Sequence, residues 1–254
     1  MKNGKAVIGR ERKLLANGAG ERRGSLADYT PAGGDPTVEA FRSLGADLSF
    51  LGQGSPSGEA RLIVFTSPWR GEGKTFSAVN FAATRALQGI RTLLIDADLR
   101  AGSASSTLGL GRGPGLTDVL SGQARLLDVV RMVKVGDHRL AVAPAGALQA
   151  DVGKLLLAEG LTEVLATATE HFEQVVIDTP PLNIVSDAAL FAARADVVLV
   201  VVRAGHTDRE ALDTTLGRLA RVGARTVGIV LNDVKSAATY GVYPYGALET
   251  EAAS

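Results

Sequence analysis

The sequence of 254 residues contains no cysteine. The chain therefore forms no disulfide bond, uses no thiolate chemistry and carries no cysteine-ligated iron–sulfur cluster. A long apolar run is also missing, since the longest purely aliphatic run, Val197 to Val202, is far too short to cross a bilayer. The polar N-terminus lacks the apolar segment of a signal peptide. If this protein works at a membrane, we expect another molecule to hold it there.

An excess of charge of one sign is absent as well. Lys and Arg number 27, and Asp and Glu also number 27. A neutral balance gives no general attraction to polyanions, so we expect no nucleic-acid partner. The apolar fraction of 46% suits a soluble globule, and the length allows one large α/β domain or two small ones.

The most informative stretch runs from Leu62 to Leu87 and predicts a strand, a glycine-rich loop and a helix. Glycines let backbone N–H groups converge on a phosphate at a helix N-terminus, where the helix dipole is positive. Lys74 supplies charge for the outer phosphates, and the Thr75 hydroxyl is placed to ligate Mg²⁺. We predict a nucleoside triphosphate site formed by Gly71, Glu72, Gly73, Lys74, Thr75 and Phe76.

This phosphate loop departs from the usual pattern at its first position, where Pro68 replaces glycine. The alternative interpretation is an ordinary glycine turn that happens to contain a lysine. The strand before the loop and the helix after it favour the phosphate loop, because that context confirms the motif.

Two further buried strands end in carboxylates. The run from Thr92 leads into Asp96 and Asp98, and the run from Val175 leads into Asp178. Open parallel sheets bind ligands at the carboxyl ends of their strands, and crowded carboxylates need a cation or a proton. Mg²⁺ beside Lys74 meets that need, and Asp178 matches a Walker-B aspartate. The alternative is that Asp96 and Asp98 only cap a following turn.

Strands and helices alternate over roughly two hundred residues, which predicts a single P-loop α/β domain with a mainly parallel sheet flanked by helices. We place this domain at residues 37–235, a flexible arm at 1–36 and a tail at 236–254. A helix is predicted from Pro36, and a capping box from Thr207 to Glu210 opens a late helix. Other predicted elements include short helices at 117–120, 126–132 and 155–158, a helix at 161–171, and strands at 140–144, 197–202 and 227–231.

The tail holds three of the four tyrosines in the chain, Tyr240, Tyr243 and Tyr245, interleaved with glycine and proline. These spacers are incompatible with a helix or a central strand. Aromatic side chains in such a segment bind something, are substrates, or dock back on the core.

Taken together, the phosphate loop, LLIDADLR, VVIDTPP and the tyrosine-rich tail resemble the bacterial tyrosine kinases that control capsular and extracellular polysaccharide export. The resemblance implies ATP and Mg²⁺ as cofactors, with the metal held by Thr75, Asp98 and Asp178. It implies that Asp96 lies nearest the incoming tyrosine hydroxyl and that the catalytic set is Lys74, Asp96, Asp98 and Asp178. It also implies that the three tail tyrosines are phosphorylated, mostly by a neighbouring subunit in a ring.

The same resemblance implies partners and a location. A transmembrane polysaccharide co-polymerase activates such kinases, a phosphotyrosine phosphatase opposes them, and the separate type is cytoplasmic and peripheral at the inner face of the membrane. Two positions depart from the family pattern. Arg70 stands where proline is common, and the ring-forming motif keeps Glu39 and Arg42 but has Gly45 in its last place.

Two other functions fit parts of the pattern. A positioning ATPase of the chromosome-partitioning or septum-site type shares the sheet, although it usually has a second lysine where Trp69 stands and, in the septum type, a basic C-terminal helix. A non-catalytic nucleotide-binding scaffold of a polysaccharide co-polymerase is the other alternative. A nitrogenase-type reductase is excluded by the absence of cysteine.

Overall fold

The computed structural model describes residues 5–9, 36–51, 62–111, 113–147, 152–156 and 160–234. Its strands are β1 (Lys5–Gly9), β2 (Leu62–Thr66), β3 (Thr92–Asp96), β4 (Arg131–Val135), β5 (His138–Ala143), β6 (Gln174–Asp178), β7 (Val197–Arg203) and β8 (Val227–Val234). Its helices are α1 (Pro36–Leu51), α2 (Lys74–Leu87), α3 (Ser103–Thr107), α4 (Leu116–Leu120), α5 (Leu126–Val129), α6 (Val152–Leu156), α7 (Gly160–His171), α8 (Asp187–Ala192) and α9 (Arg209–Arg221). Within these ranges, no helix combines the length and apolarity needed to cross a bilayer.

All eight strands form one sheet in the order β1-β8-β7-β2-β6-β3-β5-β4. Every neighbouring pair is parallel except β4 and β5, which are antiparallel. The predicted α/β fold with a mainly parallel sheet is therefore confirmed. The central strands β2, β6 and β3 are buried along their whole length, and the loops that follow them meet at one edge of the sheet.

Two hydrophobic cores lie on opposite faces of the sheet. Along β2, Ile63 and Phe65 face the core formed with α1 and α2, whereas Val64 faces the other core. This alternation follows from the two-residue period of a strand. The core on the side of α1 and α2 includes Phe41 and Phe81, which are fully buried. The ring centroids of Phe81 and Phe65 lie 5.7 Å apart. The sheet is thus covered on both faces, as parallel sheets require.

Three local features differ from the sequence-based expectations. A strand, β1, lies within the arm at 1–36 and pairs with β8 through backbone hydrogen bonds that apolar patterning did not reveal. The helix predicted at 126–132 ends at Val129, and β4 begins at Arg131. In β4, Val133 and Val135 point inward while Met132 and Lys134 are exposed, so the segment has a strand period. Helix α3 was not predicted at all.

The start of α9 also differs from the predicted capping box. Asp208 is the N-cap, and its Oδ1 accepts a hydrogen bond of 2.6 Å from the backbone N–H of Ala211. Thr207 does not fill that position, because its hydroxyl donates to the Glu72 carboxylate instead. The cap lies one residue later than the pattern indicated.

We expect Asp208→Ala to lower the free energy of unfolding by about 1 kcal/mol, because the capping acceptor is lost. Asp208→Asn retains a capping oxygen and is the matched control, with stability within a few tenths of a kcal/mol of the wild type. Urea denaturation of the three proteins measures the difference. Equal stability of the alanine and asparagine variants would contradict this cap.

Candidate active site

The loop between β2 and α2 is shaped by two glycines with left-handed backbone. Gly71 has φ of 80°, and Gly73, the N-cap of α2, has φ of 92°. Residues other than glycine rarely adopt such backbone angles. A Cβ atom on Gly73 would also lie 2.0 Å from Nδ2 of Asn232. No side chain caps α2, so its first N–H groups are available to an anion.

A cavity of about 370 Å³ opens at the N-terminus of α2. Five of the six residues predicted to bind nucleotide line it: Gly71, Gly73, Lys74, Thr75 and Phe76. The remaining wall is supplied by Arg70, Asp98, Ala101, Ser103 and Pro181. The cavity therefore joins the phosphate loop to the loops that follow β3 and β6.

The ammonium group of Lys74 lies between two carboxylates at the edge of this cavity. Its Nζ is 3.4 Å from Oδ2 of Asp98 and 3.5 Å from Oδ1 of Asp178. It also donates a hydrogen bond of 3.1 Å to Oγ1 of Thr75. The structure thus brings together Lys74, Thr75, Asp98 and Asp178, four residues that the sequence assigned to phosphate and metal binding.

Asp178 is fully buried, and among the described residues its carboxylate faces only the Lys74 ammonium group and the Thr75 hydroxyl, with no hydrogen bond of full geometry to either oxygen. The pKa of Asp178 is raised to about 7 as the net result of burial, which raises it most, of Lys74 and the Thr75 hydroxyl, which lower it, and of Asp96 and Asp98, which raise it. An ionised carboxylate in this position needs more positive charge than one lysine provides. Buried carboxylate oxygens beside a threonine hydroxyl match the oxygen ligands that Mg²⁺ prefers.

Asp96 ends β3 directly opposite Asp178 on β6. Its Oδ2 accepts hydrogen bonds from the backbone N–H of Ser105 at 2.7 Å and from the Ser105 hydroxyl at 2.6 Å. Its Oδ1 accepts a longer bond of 3.3 Å from the N–H of Asp98. Burial raises the pKa of Asp96, and the bonds from Ser105 lower it. Sequence reasoning missed Ser105, because no motif marks it.

The two carboxylate oxygens of Asp98 have different partners. Its Oδ1 accepts a hydrogen bond of 3.2 Å from the N–H of Ala101, while its Oδ2 faces Lys74. The expectation that these aspartates cap a following turn is therefore correct for one oxygen of Asp98. The other oxygen remains directed at the phosphate cavity.

The side chain of Glu72, which was predicted to belong to the nucleotide site, does not line the phosphate cavity. Its carboxylate turns away from the cavity and accepts hydrogen bonds from the N–H of Trp69 at 2.9 Å and the hydroxyl of Thr207 at 2.6 Å. Burial raises the pKa of Glu72, whereas the bond from Thr207 lowers it. The backbone oxygen of Glu72 accepts a further bond of 2.9 Å from Asn232. Glu72 thus stabilises the conformation of the phosphate loop from the side that faces Thr207 and Asn232.

The predicted oligomerisation residues lie on the outer face of α1. Glu39 and Arg42 are both more than half exposed and lie 3.7 Å apart. Gly45 faces inward, where a Cβ atom would lie 2.9 Å from Nη1 of Arg85. Arg85 is buried and donates to Gln174, so its guanidinium group is not displayed on the surface. Tyr240, Tyr243 and Tyr245 lie outside the described residues.

Comparison with known proteins places these features in a family. An AAA domain model matches residues 60–227. The tyrosine-protein kinase CpsD of Streptococcus agalactiae is 34% identical over 209 residues, which cover 82% of this chain and 88% of CpsD. The chain belongs to the bacterial tyrosine-protein kinase family.

Two other kinases support this assignment. EpsB of Ralstonia solanacearum, which carries a tyrosine-protein kinase name, is 37% identical over 199 residues. The match covers 78% of this chain but only 26% of EpsB. The kinase domain of Escherichia coli tyrosine kinase ETK superposes with a TM-score of 0.80 at 27% identity, covering 91% of this chain and 90% of that domain. The kinase is therefore a nucleotide-binding P-loop protein whose fold is that of a tyrosine kinase domain.

The raised pKa of Asp178 predicts a pH dependence of stability without nucleotide or metal. Between about pH 4 and pH 7 the folded state keeps a proton that the unfolded state has lost, so the stability that the protonated carboxyl contributes falls progressively across this range and is gone above about pH 7. Asp178→Asn does not titrate. We expect the free energy of unfolding of the variant, relative to that of the wild type, to increase by on the order of a few kcal/mol from pH 5 to pH 8.

Urea denaturation at both pH values measures this gain. Asp137→Asn is the matched control, because Asp137 is exposed and lies outside the phosphate cavity. A pH-independent difference between Asp178→Asn and the wild type would show that Asp178 is an ordinary carboxylate.

Proposed function

We propose that this kinase transfers the γ-phosphoryl group of Mg-ATP to C-terminal tyrosines of a neighbouring subunit and so regulates the polymerisation and export of capsular or extracellular polysaccharide. The observation that carries the proposal is the position of Lys74 between Asp98 and Asp178 at the N-terminus of α2. Membership of the tyrosine kinase family supports the choice of acceptor.

The residues present fit a magnesium ion. Thr75, Asp98 and Asp178 would hold it, because they offer a hydroxyl and carboxylate oxygens around a site with one lysine. When bound, the ion neutralises charge that develops on the phosphates. Asp178 is fully buried, and its oxygens lack well-formed hydrogen bonds among the described residues, which is the specific feature that a cation would satisfy.

In the transfer itself, the tyrosine oxygen forms a bond to the γ-phosphorus as the bond to the ADP oxygen breaks. Lys74 and the N–H groups at the start of α2 stabilise charge on the transferred group. Asp96 orients the tyrosine hydroxyl and accepts its proton. A tyrosine pKa near 10 exceeds that of a carboxylate, but in a loose transition state the proton leaves late, as the acidity of the hydroxyl rises.

The position of β8 supports the tail as the acceptor. Because β8 is parallel to its neighbours, its end at Val234 lies on the same edge of the sheet as the phosphate loop. Tyr240 follows six residues later and Tyr245 eleven residues later, which allows spans of up to ~20 and ~37 Å for an extended chain. The described chain therefore ends, at Val234, on the edge of the sheet that carries the site.

We further propose that a transmembrane polysaccharide co-polymerase activates the kinase and holds it at the inner face of the membrane, and that a phosphotyrosine phosphatase reverses the modification. Glu39 and Arg42 are exposed on α1 and suited to contacts between subunits of a homo-oligomer. Gly45 contributes no such contact, since it packs against Arg85. An oligomer would therefore depend on the first two residues of the motif.

We expect Lys74→Met to reduce phosphorylation of the tail tyrosines by ~100-fold or more, because the only cation between Asp98 and Asp178 among the described residues is removed. Lys154→Met changes an exposed lysine on α6 and is the matched control. Mass spectrometry after incubation with ATP and Mg²⁺ maps the phosphotyrosines, and circular dichroism checks folding.

Normal labelling of the folded Lys74→Met variant would overturn the assigned role of the lysine. Two results with the wild type would favour the alternative functions. ATP hydrolysis without formation of phosphotyrosine would indicate a positioning ATPase. Nucleotide binding without hydrolysis or phosphotyrosine would indicate a scaffold.

Asp96 and Asp98 can be distinguished by kinetics. We expect Asp96→Asn to lower kcat by about 100-fold with little change in the KM for ATP, because its partner is the acceptor hydroxyl. Asp98→Asn, by contrast, should raise the KM for ATP, since its Oδ2 faces Lys74 and the phosphate cavity. Steady-state kinetics at varied ATP concentration test both. A rise in the KM for ATP as the main effect of Asp96→Asn would place Asp96 in the metal site.

A further inference from the structure

The phosphate loop has a buried glutamate between two glycines with left-handed backbone. Gly71 and Gly73, with φ of 80° and 92°, flank Glu72. Glycine has access to more backbone conformations than any other residue, so two of them allow the loop several shapes unless the residue between them is held. Glu72 is only 4% exposed. The conformation of the loop therefore depends on the contacts that hold Glu72.

Hydrogen bonds hold Glu72 both from within the loop and from distant parts of the chain. Within the loop, its Oε2 accepts a bond of 2.9 Å from the N–H of Trp69. From outside, its Oε1 accepts a bond of 2.6 Å from the hydroxyl of Thr207, which lies 135 positions later. Its backbone oxygen accepts a bond of 2.9 Å from Nδ2 of Asn232. The bond from Thr207 thus ties the glutamate side chain to the segment between β7 and α9.

The Thr207 hydroxyl is oriented toward Glu72 by a second hydrogen bond. Its oxygen accepts a bond of 2.8 Å from the backbone N–H of Arg203 at the end of β7. Because a hydroxyl has one proton to donate, this contact leaves the proton for Oε1 of Glu72. The distance of 2.6 Å is typical of a hydroxyl that donates to an ionised carboxylate. Burial raises the pKa of Glu72 and the bond from Thr207 lowers it, as expected when the bond stabilises the ionised form.

Thr207 lies just before the N-cap of α9, and α9 is itself fastened to the loop after β6. Arg218 donates a hydrogen bond of 2.6 Å to the Leu182 oxygen, and Nδ2 of Asn183 donates one of 2.9 Å to a backbone oxygen of the helix. The same loop contains Pro181, which lines the phosphate cavity. None of the residues of α9, all of which the structure describes, lines that cavity. The helix therefore supports two walls of the nucleotide site from outside it.

We propose that Thr207 is a positioning residue for the phosphate loop, a role that rests on the kinase function proposed above. Through the Glu72 carboxylate it holds the loop in the conformation that receives the phosphates of ATP. Thr207 is not among the residues that line the phosphate cavity, so its effect on the nucleotide passes through Glu72. The bond is formed before the nucleotide binds, and the loop is thereby preorganised.

Loss of the Thr207 hydroxyl should weaken nucleotide binding and leave the chemical step unchanged. Without this bond, the two glycines allow the loop to leave its binding conformation. The apparent dissociation constant then rises by the factor by which the binding-competent population falls. Once the phosphates are bound, the N–H groups at the start of α2 hold the loop in place. A loss that is equal in the ground state and the transition state raises KM without lowering kcat.

The test compares Thr207→Val, Thr207→Ser and Thr214→Val in the full-length kinase. Valine keeps the shape of threonine without the hydroxyl, serine keeps the hydroxyl, and Thr214 is an exposed threonine of α9. We expect Thr207→Val to raise the KM for ATP and the Kd for Mg-ADP, measured by isothermal titration calorimetry, by about tenfold, with kcat within about twofold. Thr207→Ser and Thr214→Val should match the wild type in all three constants. Circular dichroism checks that each variant folds.

A double-mutant cycle tests whether Thr207 acts through Glu72. Adding Thr207→Val to Glu72→Ala should change the Kd for Mg-ADP by less than about twofold, because the acceptor of the hydroxyl is already absent. A further tenfold loss of affinity in the double variant would overturn this route. If Glu72→Ala does not fold, the recovery of affinity by Thr207→Ser decides the question, since only the hydroxyl distinguishes it from a smaller apolar residue.

The remaining results are separable from those on the kinase function. An unchanged Kd for Mg-ADP in folded Thr207→Val would overturn the positioning role, and so would a fall in kcat at an unchanged KM or a failure of Thr207→Ser to restore affinity. A wild type that forms no phosphotyrosine, together with the expected pattern of Kd values for Mg-ADP, would overturn the kinase function and support the role of Thr207.

Discussion

The ammonium group of Lys74 faces two carboxylates at the edge of the sheet where the central strands end, and the arrangement of the site depends on it. The parallel order of β2, β6 and β3 brings Lys74, Asp178 and Asp98 to one edge of the sheet, where the fold excludes water from Asp178. Burying a carboxylate is costly unless charge or hydrogen bonds compensate. Lys74 compensates only in part, as the raised pKa of Asp178 shows. A further cation would therefore stabilise the ionised carboxylate of Asp178, at the place where a bound triphosphate would bring such a cation.

The loop that carries Lys74 is held from several sides. Thr66 donates its hydroxyl to the Pro180 oxygen, and Thr179 donates its hydroxyl to the Phe65 oxygen, so the ends of β2 and β6 are cross-linked beyond the ladder. Behind the loop, Glu72 is tied to Thr207. These contacts stabilise the loop before any ligand arrives. Preorganised donors are more effective in catalysis than donors that must be reoriented during the reaction.

The sequence predicted what depends on local pattern and missed what depends on distant contacts. Strand β2, the glycine loop and α2 are encoded by periodicity and residue type within one stretch, as are the carboxylates that end β3 and β6. The bond between Glu72 and Thr207 spans 135 positions, and no spacing reveals it. Ser105 belongs to a five-residue helix too short for a periodic signal, although it holds Asp96. Edge strands β1 and β4 are short and stabilised by pairing, which single-sequence patterns represent poorly.

Phosphoryl transfer to tyrosine, in preference to water, needs a place for the acceptor as well as for the nucleotide. Two chemically different spaces lie on either side of α3. One contains Lys74 and Arg70 and suits phosphates, and the other has no cation among its described wall residues. Asp96 lies behind their junction, with its carboxylate already oriented by Ser105. Because Asp96 is fully buried and its carboxylate is held by Ser105, the fold shields this carboxylate from bulk water before any acceptor binds.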